Sequence, residues 1–131
     1  IGDSCYAHCS TFEITDMTEL ESVHIGSKSF TLSRDEENSD VRSNRICRIS
    51  NCPKLKSISF GDYSFSDYAT FELNNLPSLE SITMGWWCFC FARSLNLKSE
   101  NHSICFILRS SFSSEGYTSS FSFLFLPFCH L

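Results

Sequence analysis

Basic residues are scarce in this chain, and their scarcity bears on the class of partner that it can bind. Lys and Arg number 10 against 15 Asp and Glu, which gives a formal net charge of -5 over 131 residues. Nucleic-acid binding depends on clustered Lys and Arg that neutralise phosphates. The composition therefore argues against a nucleic-acid partner.

Long apolar runs and targeting signals are also missing. No window reaches the roughly 18 apolar residues that a membrane helix requires, and the strongly apolar stretch 121–131 is too short to span a bilayer. No charged stretch followed by an apolar run opens the chain, so no signal peptide is visible. The first residue, Ile1, favours a fragment of a longer protein. We predict no membrane span; the compartment is open, with a slight preference for the cytoplasm over an extracellular location.

Known catalytic motifs are absent too. The sequence has no Gly-rich phosphate loop, no His-Glu-x-x-His pair and no nucleophile elbow. We therefore predict neither enzymatic activity nor a cofactor. A Cys/His enzyme is kept as a third hypothesis, because such a pair requires a spatial contact that a sequence does not reveal.

Glycine is rare, but four of the five glycines recur at a regular spacing. Gly2, Gly26, Gly61 and Gly85 are separated by 24, 35 and 24 residues, and the middle value is one repeat plus an insertion of eleven. An aromatic residue stands four positions after each of them: Tyr6, Phe30, Phe65 and Phe89. Self-similarity at this period is typical of a repeat protein.

Apolar residues alternate in two short segments of each unit, which predicts two strands with one buried face each. The main strand holds the last apolar pair before the glycine, such as Ile82 and Met84, and a second, shorter strand holds pairs such as Phe71 and Leu73. One unit this small cannot bury its apolar face, so stacked units are expected to share one core. The glycine ends the main strand, where the backbone requires a positive φ or a close approach.

The best-matched segments are Asn51–Phe65, NCPKLKSISFGDYSF, and Asn75–Phe89, NLPSLESITMGWWCF. Their pattern L-x-x-[VI]-x-[IFM], followed by Gly and then Phe, resembles the leucine-rich-repeat superfamily, in particular the large repeat families of protists and the BspA-like surface proteins. The resemblance covers about residues 1–98. It implies a mainly β, curved solenoid of about four strand–turn units, whose strand-bearing face binds a partner, usually another protein.

The predicted solenoid contains a polar insertion at about 31–46, interpreted as a solvated loop, with a partner-contacting loop as the alternative. After Lys98 the register fails, although 104–108 fits a degraded last strand. Residues 99–131 are expected to form a degraded last repeat, a cap or an irregular, disordered tail. A GPI-like tail or a translated non-coding segment would also fit the serine-rich and then apolar composition of this stretch.

Eight cysteines permit a disulfide network if the protein is secreted. Four of them fill repeat columns as small or apolar residues, and no spacing matches a zinc site. Cys5, His8 and Cys9 offer three ligands but lack a second half. Buried reduced thiols are favoured and no metal is predicted. The alternative is a secreted or surface-anchored, disulfide-stabilised adhesin-like protein.

If the units stack, the outward residues of the main strands form two polar rows. They are Ser22, His24, Ser57, Ser59, Ser81 and Thr83. Trp86 and Trp87 lie in the turn after the third main strand, where they either anchor a partner or cover the end of the stack. We predict a non-catalytic protein-binding module, with an inert polar face as the alternative. The partner and the oligomeric state are left open.

Overall fold

The computed structural model describes residues 1–31, 44–89, 92–98, 104–108 and 120–123. This part of the chain contains nine β-strands and no helix, so the fold is mainly β, as the alternating pattern predicts. The strands are β1 Thr11–Thr15, β2 Ser22–Ile25, β3 Ile46–Ser50, β4 Ser57–Phe60, β5 Thr70–Asn74, β6 Ser81–Met84, β7 Ser94–Lys98, β8 Cys105–Leu108 and β9 Ser120–Phe123.

The strands form two parallel sheets that alternate along the chain. The odd sheet has the order β1-β3-β5-β7-β9, and the even sheet has the order β2-β4-β6-β8. One odd strand and the even strand that follows make a unit, so that units 1 to 4 begin at β1, β3, β5 and β7. Equivalent residues of successive units are direct partners, as Phe12, Cys47 and Phe71 are in the odd sheet. The sequence period is therefore confirmed as strand register.

The core is continuous from one unit to the next. Phe30, Phe65 and Phe89 stack face to face, with ring centroids 4.6 and 5.2 Å apart, and Phe65 is fully buried. Phe60 of the even sheet meets Phe71 of the odd sheet edge to face at 5.5 Å. These contacts join the two sheets through one interior, and the predicted aromatic column is confirmed.

The glycines after β2, β4 and β6 permit a close approach of neighbouring backbones. A Cβ on Gly61 would lie 2.5 Å from the Ser27 nitrogen, and one on Gly85 would lie 2.6 Å from the Asp62 nitrogen. Neither glycine has a left-handed φ. Of the two reasons expected for these glycines, close approach is the one that the structure shows.

Left-handed backbone occurs, among other places, at the residue that directly follows each of the odd strands β1, β3 and β5. Asp16, Asn51 and Asn75 have φ of 57°, 54° and 52°, a conformation that Asp and Asn tolerate. Their side chains form a ladder in which Asn51 Nδ2 donates to Asp16 Oδ1 and Asn75 Nδ2 donates to Asn51 Oδ1, both at 3.0 Å. The ladder fixes the turn between the two strands in units 1 to 3.

A second ladder explains why one column holds only Ser and Cys. The Ser29 hydroxyl donates to the Gly2 carbonyl at 2.8 Å, and the Ser64 hydroxyl donates to the Gly26 carbonyl at 2.6 Å. Cys88 Sγ stands 2.9 Å from the Gly61 carbonyl in the same arrangement. The column therefore selects a small donor as well as a small side chain.

Three boundaries differ from the sequence-based expectations. The odd strands β1, β3, β5 and β7 have five residues and the even strands four, so the second strand is not the shorter one. The expected insertion at 31–46 overlaps β3 at Ile46 and the buried Arg45, and its positions 32–43 lie outside the described residues. The expected tail 99–131 contains β8 and β9, which extend the two sheets; the interpretations of its remaining residues concern positions outside the described part.

Arg45 departs most from the sequence-based expectation, because it was assigned to a polar loop and lies in the interior of the structure. It is 1% exposed, and its Nη2 donates to the carbonyl oxygens of Ala7 and Cys9 at 2.8 and 2.7 Å. Its guanidinium lies 4.6 Å from the ring centroid of Tyr68, whose hydroxyl donates to the Cys9 carbonyl at 2.6 Å. Arg45 and Tyr68 thus tie the chain after the insertion to unit 1.

Tyr68 gives the fold a specific dependence on alkaline pH. Burial raises the pKa of its hydroxyl to about 12, although Arg45 acts in the opposite direction. A tyrosine in the unfolded chain ionises near pH 10. The contribution of the neutral Tyr68 hydroxyl to stability is therefore complete below about pH 10 and is lost as the pH rises to about 12. The free energy of unfolding is expected to fall by about 2 to 3 kcal/mol over this interval for this group.

Urea unfolding at several pH values checks this expectation, with Tyr68→Phe as the comparison. The variant lacks the ionisable hydroxyl, so its stability should fall less between pH 10 and 12 than that of the unaltered protein. An equal fall in the free energy of unfolding between pH 10 and 12 in the two proteins would contradict the attribution of this effect to Tyr68. Tyr63→Phe is the matched control, because Tyr63 is 46% exposed.

Candidate functional site

The outer face of the even sheet brings together the six strand residues predicted from the sequence. Ser22, Ser57 and Ser81 are direct partners in one row, and His24, Ser59 and Thr83 are direct partners in the other. Neighbouring strands of a sheet lie about 4.8 Å apart, which sets the spacing within each row. The strands show alternating burial, so these side chains point away from the core.

The fourth even strand extends both rows. Cys105 pairs with Ser81, and Ile107, which is 36% exposed, pairs with Thr83. Sequence reasoning missed these two members because unit 4 departs from the glycine and leucine pattern. The apolar residues at 106 and 108, which are in the strand columns, were the signal that could have found them.

The hydroxyl groups of this face are not used within the described part of the chain. The side chains of Ser22, Ser57, Ser59, Ser81 and Thr83 make no hydrogen bond there. On the outer face of the odd sheet, by contrast, Ser50 donates to Thr15 at 3.1 Å. The even face therefore offers a regular set of donors and acceptors that a ligand can use.

Charge separates the two outer faces further. On the odd sheet, Arg48 lies between Glu13 and Glu72, with its Nη1 at 3.5 Å from the first carboxylate and its Nε at 2.8 Å from the second. The hydrogen bond to Glu72, reinforced by the charges of both carboxylates, raises the pKa of Arg48 above its ordinary value. Glu13 and Glu72 are thus both partly exposed to solvent and paired with Arg48 across neighbouring strands. The two rows of the even sheet carry no Asp, Glu, Lys or Arg.

Exposed aromatic residues line the end of the even sheet where its strands enter the glycine turn. Trp86 is 49% exposed, Trp87 is 38% exposed, and Tyr63 of the neighbouring turn is 46% exposed. The backbone fixes them together: the Tyr63 nitrogen donates to the Trp86 carbonyl at 2.6 Å, and the Trp86 nitrogen donates to Asp62 Oδ1 at 2.8 Å. This aromatic rim follows the carboxyl ends of β4 and β6. Tyr63 is the member that sequence reasoning missed.

The exposure of the rim bears on the two roles considered for the tryptophans. Large aromatic side chains half open to solvent are well suited to anchor a partner. Covering the end of the stack would instead place the rings against buried side chains. Neither Trp86 nor Trp87 makes an aromatic ring contact within the described residues.

The described cysteines differ in burial, and Cys47 is the most strongly affected by it. Cys5, Cys9, Cys47 and Cys52 carry free thiols. Burial raises the pKa of the Cys47 thiol well above its ordinary value, which disfavours the thiolate that a nucleophile requires. No group of three metal-ligating side chains occurs among the described residues.

The described residues include no helix with the length and apolar character needed to cross a membrane. No family model, no curated protein and no solved structure matches this chain.

Proposed function

We propose that this chain is a leucine-rich-repeat-type solenoid that binds a protein partner, without catalysis, through the outer face of the even sheet. The observation that carries the proposal is the contrast between the two faces. Odd-sheet side chains are bonded to their neighbours, as Arg48 is to Glu72 and Ser50 is to Thr15. The hydroxyls of the even rows, by contrast, have no partner in the described chain. A face with unused donors and acceptors gains most from a partner that supplies them.

The aromatic rim supports the same face. Binding energy in protein interfaces is concentrated in a few residues, among which Trp and Tyr are enriched. Trp86 and Trp87 lie at the edge of the even rows, so one partner can contact the hydroxyls and the indoles together. The partner would then have an extended backbone or polar side chains over the rows and an apolar group at the rim.

Two double variants test the proposal on opposite faces of the same fold. Ser59→Arg with Ser81→Arg places bulky charges on the even face, and Thr70→Arg with Ser94→Arg places them on the odd face. Affinity capture with the 131-residue chain as bait, quantified by mass spectrometry, measures which proteins each bait retains. We expect the even-face variant to lose specific partners by about tenfold or more, and the odd-face variant to keep them.

Trp86→Ala with Trp87→Ala should reduce the same set of retained proteins. Thermal unfolding of every variant shows whether the fold is preserved. Equal retention by the unaltered chain and the even-face variant would refute the proposal. So would a loss confined to the odd-face variant.

A further inference from the structure

The aromatic rim, formed by Tyr63, Trp86 and Trp87, includes a carboxylate with one unpaired oxygen. Asp62 Oδ1 accepts from the Trp86 nitrogen at 2.8 Å. Within the described residues the second oxygen, Asp62 Oδ2, has neither a hydrogen bond nor an ion pair. A charged acceptor therefore lies beside a tryptophan that is 49% exposed.

Backbone hydrogen bonds hold this carboxylate and two of the aromatic residues on neighbouring turns. Tyr63, which follows Asp62 directly, donates from its nitrogen to the Trp86 carbonyl at 2.6 Å. The Trp86 nitrogen in turn donates to the Asp62 side chain. The backbone at the rim is thus fixed within the fold, and it needs no rearrangement when a ligand binds.

The unpaired oxygen restricts the kind of group that can cover the rim. A partner that packs on the Trp86 indole removes water from Asp62 as well, and a carboxylate buried without a donor costs free energy. A purely apolar group would leave that cost uncompensated. The covering group has therefore to combine apolar contact with a donor, and a charged donor gives the stronger hydrogen bond.

Arginine meets these requirements better than lysine at a rim that is half open to solvent. Its guanidinium is planar, is more weakly hydrated than an ammonium group, and stacks on aromatic faces. Among aromatic rings, tryptophan attracts such a cation most strongly. The aliphatic part of arginine also supplies apolar contact to the rings. The net charge of -5 favours a basic ligand as well.

Lys28 does not fill this position, although it is the basic residue of the preceding turn and shares the column of Tyr63. In the described part of the chain, Lys28 forms no ion pair with Asp62 and no cation–π contact with Tyr63. The carboxylate is therefore available to a cation from a ligand.

We propose that Asp62, Tyr63 and the two tryptophans form a site for an arginine side chain of the protein partner. The guanidinium stacks on an exposed ring and donates to Asp62 Oδ2, while the aliphatic part of the side chain covers the indoles. The site belongs to the binding face of the proposed function and therefore rests on it. It assigns a chemistry to the group that this partner places at the rim.

Unit 1 contains the same backbone arrangement without aromatic rings, and it provides an internal control. Asp3 Oδ1 accepts from the Ser27 nitrogen at 2.7 Å, and the Ser4 nitrogen donates to the Ser27 carbonyl at 2.8 Å. These two bonds repeat the two that hold the aromatic rim together. Asp3 is thus a carboxylate of matched geometry whose neighbours are serines.

The chain contains two tryptophans, and both lie in the rim, so intrinsic fluorescence reports on this site alone. The probes are three peptides with identical Gly and Ser flanks and a central arginine, lysine or citrulline, the neutral analogue of arginine. Each peptide is titrated into the millimolar range against the 131-residue protein. We expect the arginine peptide to bind about tenfold more tightly than the citrulline peptide and about threefold more tightly than the lysine peptide.

Asp62→Asn tests the role of the charge, because asparagine retains an oxygen that accepts from the Trp86 nitrogen and lacks the negative charge. This variant is expected to bind the arginine peptide about fivefold more weakly, whereas Asp3→Asn should bind it as the unaltered protein does. Lys28→Gln should strengthen binding about twofold, since it removes a like charge from the preceding turn. Thermal unfolding shows whether each variant is folded.

Equal binding of the arginine and citrulline peptides overturns the site, and so does equal binding of the arginine peptide by Asp62→Asn and the unaltered protein. A lysine peptide that binds as tightly as the arginine peptide overturns the choice of a guanidinium. In affinity capture, an Asp62→Asn bait that retains the proteins lost by Ser59→Arg with Ser81→Arg overturns the arginine site alone. Equal retention by the unaltered chain and that even-face variant refutes the proposed function, and it leaves the peptide titration unaffected.

Discussion

Phe65→Ala is expected to lower the free energy of unfolding by about 3 to 5 kcal/mol, enough to unfold much of a small domain. Phe65 is fully buried between Phe30 and Phe89 and also meets Phe60 and Tyr68 edge to face. Truncation removes its transfer free energy and leaves a cavity between two rings that the backbone holds apart. Urea unfolding followed by circular dichroism measures the loss.

Tyr6→Ala is the matched control, since Tyr6 occupies the same column and also has a left-handed backbone, with φ of 58°, but is 62% exposed. Its expected loss is about 1 kcal/mol or less. Phe65→Gly should be about 1 kcal/mol more stable than Phe65→Ala, because φ at this position is 54° and glycine adopts it without strain. Equal losses for Phe65→Ala and Tyr6→Ala would contradict a continuous buried aromatic column.

Gly61→Ala is the second large effect, expected to destabilise the fold by about 3 kcal/mol or more. The added Cβ would lie 2.5 Å from the Ser27 nitrogen and 2.8 Å from the Gly26 carbonyl carbon. Both atoms belong to the backbone of the preceding unit, so the units must separate to make room. The change should therefore weaken pairing between β2 and β4 as well as global stability.

Gly2→Ala provides the reference for this substitution. Gly2 stands in the same column, but a Cβ there meets nothing within 4 Å. The free energy of unfolding of the Gly2→Ala variant should differ from that of the unaltered protein by less than about 1 kcal/mol. Denaturant midpoints of the two variants give the comparison, and similar midpoints would show that close approach is not what Gly61 is needed for.

Strand register was the most predictable part of the fold, because one period controls many columns at once. The spacing of the four glycines predicts that Phe12 lies opposite Cys47 and that Ile58 lies opposite Ile82. Both pairs are observed. Burial in unit 1 was less predictable: Met17 shares a column with Cys52 and Leu76 but is 51% exposed. A column predicts which side chains align, whereas burial also requires a neighbour on each side.

Arg45 shows a limit of reading local composition. It follows a charged run, and such runs usually lie in solvent, so the insertion was extended to residue 46. The structure buries Arg45 because the carbonyls of Ala7, Cys9 and Phe30 accept from its guanidinium and the Tyr68 ring lies beside it. Two of those acceptors come from a turn some 36 residues earlier, and no local pattern reveals them.

The candidate site was predictable in its rows and less so at its ends. His24, Ser59 and Thr83 follow from the strand period alone. Tyr63 was not singled out, although it shares its column with Trp87, because the same column holds Lys28 and Ser4 in the earlier turns. Whether a turn residue is exposed depends on the path of the backbone, which alternation within strands does not specify.

The lengths of the chain segments between paired strands indicate where the chain tolerates an insertion. Most strand pairs close a segment of 24 residues, whereas the segment is 26 residues between β7 and β9 and 35 across the insertion. Closure entropy grows only with the logarithm of the length, so the longer segment costs about 0.3 kcal/mol more. Foreign sequence spliced between β2 and β3 would thus add almost nothing to the entropic barrier of assembly, which makes this junction the natural place to graft a tag, a reporter or a second binding loop.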